Sequence, residues 1–156
     1  RERSDEPKLF TKMQNIIRIL DLPLKVTELF TLSFKDKEKD KDKDNLLAEL
    51  FKVAIKFLAN STYRNNVSQH QLLPQAKKFL ELIPKNVNVT KLIANLYSQI
   101  KQTETCYELI KYIFEILNVI QPESLESYHC QYLIILRTLT FDNYRNPIND
   151  NQRKIM

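Results

Sequence analysis

The tripeptide Tyr-Arg-Asn stands twice in this chain, at residues 63–65 in LANSTYRNNVSQHQLL and at 144–146 in LTFDNYRNPINDNQRKIM, 81 residues apart. Each copy follows a long apolar stretch and precedes an Asn/Gln-rich segment with more apolar residues behind it. Arginine is well shaped to take an anion, because its guanidinium holds five donors in a planar fork. Anion recognition is therefore one chemistry these positions suggest. A repeated structural corner is a second reading, and coincidence in an Asn-rich sequence a third.

Other reactive side chains suggest less. His129 and Cys130 are neighbours, but adjacent residues on a helix point about 100° apart, which does not set a base against a nucleophile. Two His and two Cys show none of the ligand spacing of a zinc shell. Cys106 and Cys130 both lie in apolar contexts and are expected to be buried, reduced thiols of the cytosolic kind. The run KDKEKDKDKD at 35–44 places Glu38, Asp40, Asp42 and Glu49 at the first, third, fifth and twelfth positions of a calcium loop. Its sixth position is Lys43 where the turn needs glycine, and the interleaved lysines repel a divalent cation. No metal and no cofactor is expected. The sequons at Asn60, Asn66 and Asn88 are what an Asn-rich chain yields by chance. Tyr107, Tyr112, Tyr128 and Tyr132 are expected to pack between helices.

Glycine is absent altogether. That removes the phosphate-cradling Gly-rich loop, the dinucleotide fingerprint and the nucleophile elbow, and it disfavours tight hairpins. The net charge is +5 with a sequence pI near 9.1, which leans toward anionic partners, but the basic residues are dispersed and make no nucleic-acid footprint. At 156 residues and 43% hydrophobic, the chain suffices for one domain or one segment of a larger array. It opens on Arg1, which suggests a piece of a longer polypeptide, and no run approaches the roughly 18 apolar residues of a membrane span.

The elements that must position these residues are helical. Within 104–121, Glu108, Lys111, Glu115 and Asn118 mark a wet face, with Ile110, Ile113, Phe114 and Leu117 opposite. Within 45–59, Glu49, Lys52 and Lys56 are wet, and Leu46, Leu47, Leu50, Phe51, Ala54, Phe57 and Leu58 are expected to be buried. Eight helices are predicted. The first covers 6–21 and is stopped by Pro23; a short second covers 25–33; the third covers 45–59. The fourth covers 66–83 with a break at Pro74, and the fifth covers 89–101 with Asn88 as cap. The sixth covers 103–121 with Thr103 as cap, the seventh runs from Pro122 to 140, and the last begins near Asn149. Short connections favour antiparallel neighbours. The balanced charged run at 35–44 has nothing to bury and is expected to be a flexible, solvated loop.

Both Tyr-Arg-Asn sites fall where one helix ends and the next begins. Asn65, Asn66 and Ser68 in the first copy, and Asn149 and Asp150 in the second, offer acceptors for free amides at a helix start. Gln69 and Gln152 then lie inside the next helix, where an amide can bridge backbone groups. The spacing of 81 is about two repeats of the armadillo/HEAT length of roughly 40–47 residues.

Four stretches, in order over nearly the whole chain, resemble one family. RERSDEPKLFTKMQNIIRIL resembles its basic opening helix, and FLANSTYRNNVSQ its Tyr-Arg-Lys-Asn-Gln corner. LLPQAKKFLELI…VTKLIANLYSQIKQ resembles the helix pair after that corner, and YLIILRTLTFDNYRNPINDNQRKIM the closing segment. The chain thus resembles the helical homology domain shared by inositol trisphosphate receptors and ryanodine receptors. That resemblance implies an armadillo-like segment of a calcium-release channel, one wall of an inositol-phosphate site, and a β-trefoil domain as the opposing wall. Tyr63 and Arg64 match the Tyr-Arg of the family corner, with Asn65 in place of its Lys. Lys12 matches a phosphate-contacting Arg, and Lys8 lies near a contacting Lys.

The expected fold is all-α, an armadillo-like α-solenoid of stacked antiparallel helix pairs forming one helical domain over 1–156. The expected function is non-enzymatic: a soluble segment on the cytoplasmic face of an endoplasmic-reticulum-type membrane, within a ligand-gated calcium-release channel, that relays conformational change. The ligand residues would be Tyr63, Arg64, Lys12 and Lys8. Partners would be neighbouring β-trefoil and helical domains of the same polypeptide, inositol phosphate, and three further copies in a tetrameric channel, with no nucleic acid. The alternative is a generic α-solenoid scaffold for protein partners.

Overall fold

A computed structural model describes residues 6–31, 41–98 and 103–142, and all regular structure among them is helical. The α-helices are α1 Glu6–Ile19, α2 Leu22–Glu28, α3 Lys41–Thr62, α4 Asn66–Leu72, α5 Ala76–Leu80, α6 Thr90–Tyr97, α7 Thr103–Asn118 and α8 Cys130–Arg137. Short 3-10 turns extend or join several of them, and a π-turn at Thr138–Asp142 follows α8.

The prolines act differently from the sequence expectation. Pro23 does not stop the first helix: α1 ends earlier, Asp21 turns into the left-handed region at φ 55°, and Pro23 sits buried in the first turn of α2. A proline suits that place because the first-turn N–H groups have no intrahelical partner. Pro84 and Pro122 likewise lie inside 3-10 turns, Ile83–Lys85 and Pro122–Ser124. The helix expected from Pro122 to 140 is in fact two 3-10 turns, then α8, then the π-turn. The break at Pro74 is as expected, a 3-10 turn Leu73–Gln75 between α4 and α5.

Of the charged run, residues 35–40 lie outside the described residues, whereas Lys41–Asp44 form the opening turn of α3. Asp42 and Asp44 favour that start because carboxylates complement the positive end of the helix dipole. The eighth predicted helix and the second Tyr-Arg-Asn also lie outside the described residues.

The core is built on α3, α5, α6, α7 and α8. Phe51, Leu58, Phe79, Leu92, Ile93, Leu96, Ile113 and Ile135 are buried there. Phe30 packs edge-on against both Phe51 and Phe79, with ring centroids 5.5 and 6.0 Å apart. α3 packs against α6, and α6 in turn against α8, while α1 and α2 also pack against α3. Five sequence expectations of burial fail: Leu46 and Leu50 on α3, Tyr107 and Phe114 on α7, and Cys130 are exposed. They have helical periodicity but sit at the margin of a stripe only as wide as the neighbouring helix covers.

α1 departs furthest from its pattern. Its one buried side chain among the described residues is Gln14, 3% exposed, whereas Leu9, Met13, Ile16 and Leu20, just past its end, are each more than half exposed. The helix therefore turns a polar side inward and an apolar side outward.

Candidate functional site

The corner at Tyr63-Arg64-Asn65 is where α3 stops and α4 begins. A helix end leaves its last carbonyls without intrahelical donors, and glycine in a left-handed cap is the usual remedy. This chain has no glycine, and side-chain amides take its place. Asn95 on α6 donates to the Ala59 carbonyl at 2.8 Å. Gln14 on α1 donates to the carbonyls of Asn60 at 2.8 Å and Tyr63 at 2.9 Å. Gln69 on α4 donates to the Thr62 carbonyl at 2.8 Å, and the Asn65 N–H reaches the same oxygen at 3.2 Å.

Asn65 caps α4 as the sequence suggested. Its Oδ1 accepts from the Ser68 N–H at 3.1 Å, and its Nδ2 donates to Gln14 Oε1 and Asn15 Oδ1, each at 3.2 Å. One buried amide thus starts α4 and holds α1 on the corner. Each such bond nets about 0.5–1.5 kcal/mol, and removing a partner costs about 1–3 kcal/mol because a buried group is left unpaired.

The clasp leaves Arg64 outside. Its backbone lies in the left-handed region at φ 50°. Asp21 and Asn86 are the other described residues with positive φ, and both are types whose short polar side chains tolerate that region; an arginine has no such compensation. The Arg64 guanidinium lies over the exposed Tyr63 ring, 5.3 Å from its centroid, so ring and cation present one face to solvent.

Of the four residues singled out by sequence, Tyr63 and Arg64 are brought together. Lys8 and Lys12 are exposed on α1. α1 meets the corner through Gln14, and Lys12, two residues earlier, stands about 160° round the helix from it at about 100° per residue. Asn65, where the family pattern has a Lys, is a buried structural amide. Gln14 and Asn15 were missed by sequence reasoning. The available signal was a polar pair inside the apolar run LFTKMQNIIRIL.

A groove of about 460 Å³ lies elsewhere. Leu73 and Pro74 line it, with Lys77 and Tyr97, and Glu104 and Glu108 place two carboxylates on its wall. That charge balance repels an anion, so the groove and the Arg64 corner do not serve one ligand. Burial raises the Tyr97 phenol well above its ordinary range, with Cys106 adding to the effect, so this group stays neutral. Among the described residues, no group of three or more His, Cys, Asp or Glu side chains is placed to hold a metal ion. Among the same residues, no helix is long and apolar enough to cross a membrane.

Comparison with family models, curated proteins and solved structures found no match to this chain.

Proposed function

We propose that this chain is a non-enzymatic, armadillo-like helical segment of an intracellular ligand-gated calcium-release channel, and that its Tyr63-Arg64 corner is one wall of an inositol-phosphate site. The observation carrying this reading is Arg64 itself: an exposed cation in a left-handed backbone, at a corner where side-chain amides take the carbonyls of Asn60, Thr62 and Tyr63. Strain retained at an exposed cation points to a use for the cation. The corner resembles the anion-binding one of inositol trisphosphate receptors, and the all-helical architecture accords with an α-solenoid of helix pairs.

In this reading the opposing wall is a β-trefoil domain of the same polypeptide, and the assembly is a tetramer on the cytoplasmic face of an endoplasmic-reticulum-type membrane. Binding would shift the corner and α1 together, because Gln14 and Asn65 tie them. Lys8 and Lys12, on the far rim of α1, would contribute long-range attraction.

The energetics set the expected affinity. A charge-assisted bond to phosphate is worth about 1.5–3 kcal/mol. Two or three from this chain give about 4–8 kcal/mol before ordering and desolvation. Micromolar binding needs about 8 kcal/mol net, so this chain alone should bind near the millimolar range. Calorimetric titration with inositol trisphosphate tests the claim, on this chain and on a polypeptide joining it to a basic β-trefoil neighbour. Arg64→Gln should abolish the heat of binding while leaving the helical circular dichroism unchanged. Binding that is absent, or indifferent to Arg64→Gln, removes the corner from the site. The alternative reading, an α-solenoid scaffold for protein partners, is favoured by the outward apolar side of α1.

A further inference from the structure

Two helices carry apolar stripes toward solvent, and their charges are opposite. On α1 and the residue after it, Leu9, Met13, Ile16 and Leu20 are each more than half exposed. Their spacing of four, three and four is the seam of a helix that packs along another helix. From residue 7 to 20 the charged side chains are Lys8, Lys12 and Arg18, with no acid, and the two lysines stand exposed one turn apart beside the stripe. On α7, Tyr107 and Phe114 are each more than half exposed, and part-buried Ile110 and Leu117 complete a spacing of three, four and three. The exposed charges of α7 are Glu104, Glu108 and Glu115 against Lys111. α1 packs on α2, α3 and α4, whereas α7 packs on α5 and α8; Ile110 and Leu117 also touch the core, so the open part of the α7 stripe is Tyr107 and Phe114.

We propose that the occupant of each stripe is a second copy of this chain, with the basic apolar stripe of α1 in one molecule lying against the acidic apolar stripe of α7 in the next. Each stripe supplies what the other lacks: matched seven-residue spacing and unlike rim charge. Pairing α1 with α1 would set Lys8 and Lys12 against like charge, which disfavours that arrangement. An anionic bilayer would cover α1 and leave α7 open. The contact joins two different patches, so it is heterologous and extends from one molecule to the next. It uses neither Tyr63 nor Arg64, and shares with the anion reading only Lys8 and Lys12.

Sedimentation velocity of the chain at rising concentration, in low and in high salt, tests it. The mean mass should climb with concentration, less steeply in high salt because the rim charges are screened. Met13→Glu and Phe114→Glu, both at exposed positions, should each lower the association constant by at least about tenfold with unchanged circular dichroism. Lys8→Glu with Lys12→Glu should weaken association, and adding Glu104→Lys, Glu108→Lys and Glu115→Lys to the same chain should restore it. A chain monomeric at every concentration overturns the proposal. So does association that survives both Met13→Glu and Phe114→Glu, or a reversal that is not rescued. A monomer that instead binds phosphatidylserine vesicles, and loses them on Met13→Glu, overturns it in favour of a lipid surface.

Discussion

Arg64 occupies a backbone region that costs a residue with a Cβ about 1–2 kcal/mol. The corner holds it there because its flanks are fixed: the Tyr63 carbonyl by Gln14, and Asn65 by its own cap and by α1. Glycine would meet the same geometry without the steric cost but with more freedom to lose on folding. Arg64→Gly should therefore raise stability toward urea unfolding by up to about 1 kcal/mol, although it removes a side chain. Stability that falls on this change would mean the guanidinium holds the corner together, and the case for an outward-facing ligand would fail.

At the scale of the element, α3 shows how far periodicity carries. Phe51 and Leu46 both stand on the apolar side of its pattern, yet Phe51 is fully buried, with Phe30 edge-on and the Lys85 ammonium 5.3 Å from its ring centroid, whereas Leu46 is 66% exposed. Leu47, one residue on, packs against the core, so Leu46 lies at the edge of the covered side of α3. Phe51→Ala should cost about 3–5 kcal/mol by urea unfolding, and Leu46→Ala less than about 0.5 kcal/mol. Equal costs would mean that the start of α3 is covered in solution. α1 extends the lesson. A rule that apolar sides face inward places this helix the wrong way round, because two hydrogen-bonded amides outweigh the stripe when no neighbour reaches it.

For the whole molecule, three buried or part-buried phenols share one direction of shift. Burial is the largest cause of the rise at Tyr97, Tyr112 and Tyr132; Glu81 and Glu115 add to it at Tyr112, and Tyr128 and Tyr112 at Tyr132. A group whose folded value lies above its unfolded value of about 10 holds its proton more tightly in the native state. That stabilisation is fully present below pH of about 10 and is lost as pH rises beyond it toward the folded value. Urea-unfolding midpoints should be flat across neutral pH on this account and fall in the alkaline range. Tyr97→Phe should flatten the alkaline fall, and a wild-type midpoint that does not fall there would contradict the burial of these rings.

The sequence by itself determined the all-helical class, the punctuation at Pro74 and the presence of capping side chains at the start of α4. These depend on local physics: side-chain period, the fixed φ of proline, and an acceptor placed just before free N–H groups. The absence of glycine leaves helix ends to be closed by other means. Only the tertiary structure decided what those means are. That Gln14 reaches the carbonyls of Asn60 and Tyr63, and that Asn95 reaches Ala59, depends on which helices lie side by side, about which spacing along one chain says nothing. The same holds for the outward side of α1 and the exposure of Leu46, Phe114 and Cys130. A periodic pattern shows that a helix has an apolar side; burial needs a second surface, and that surface comes from remote parts of the chain or from another molecule.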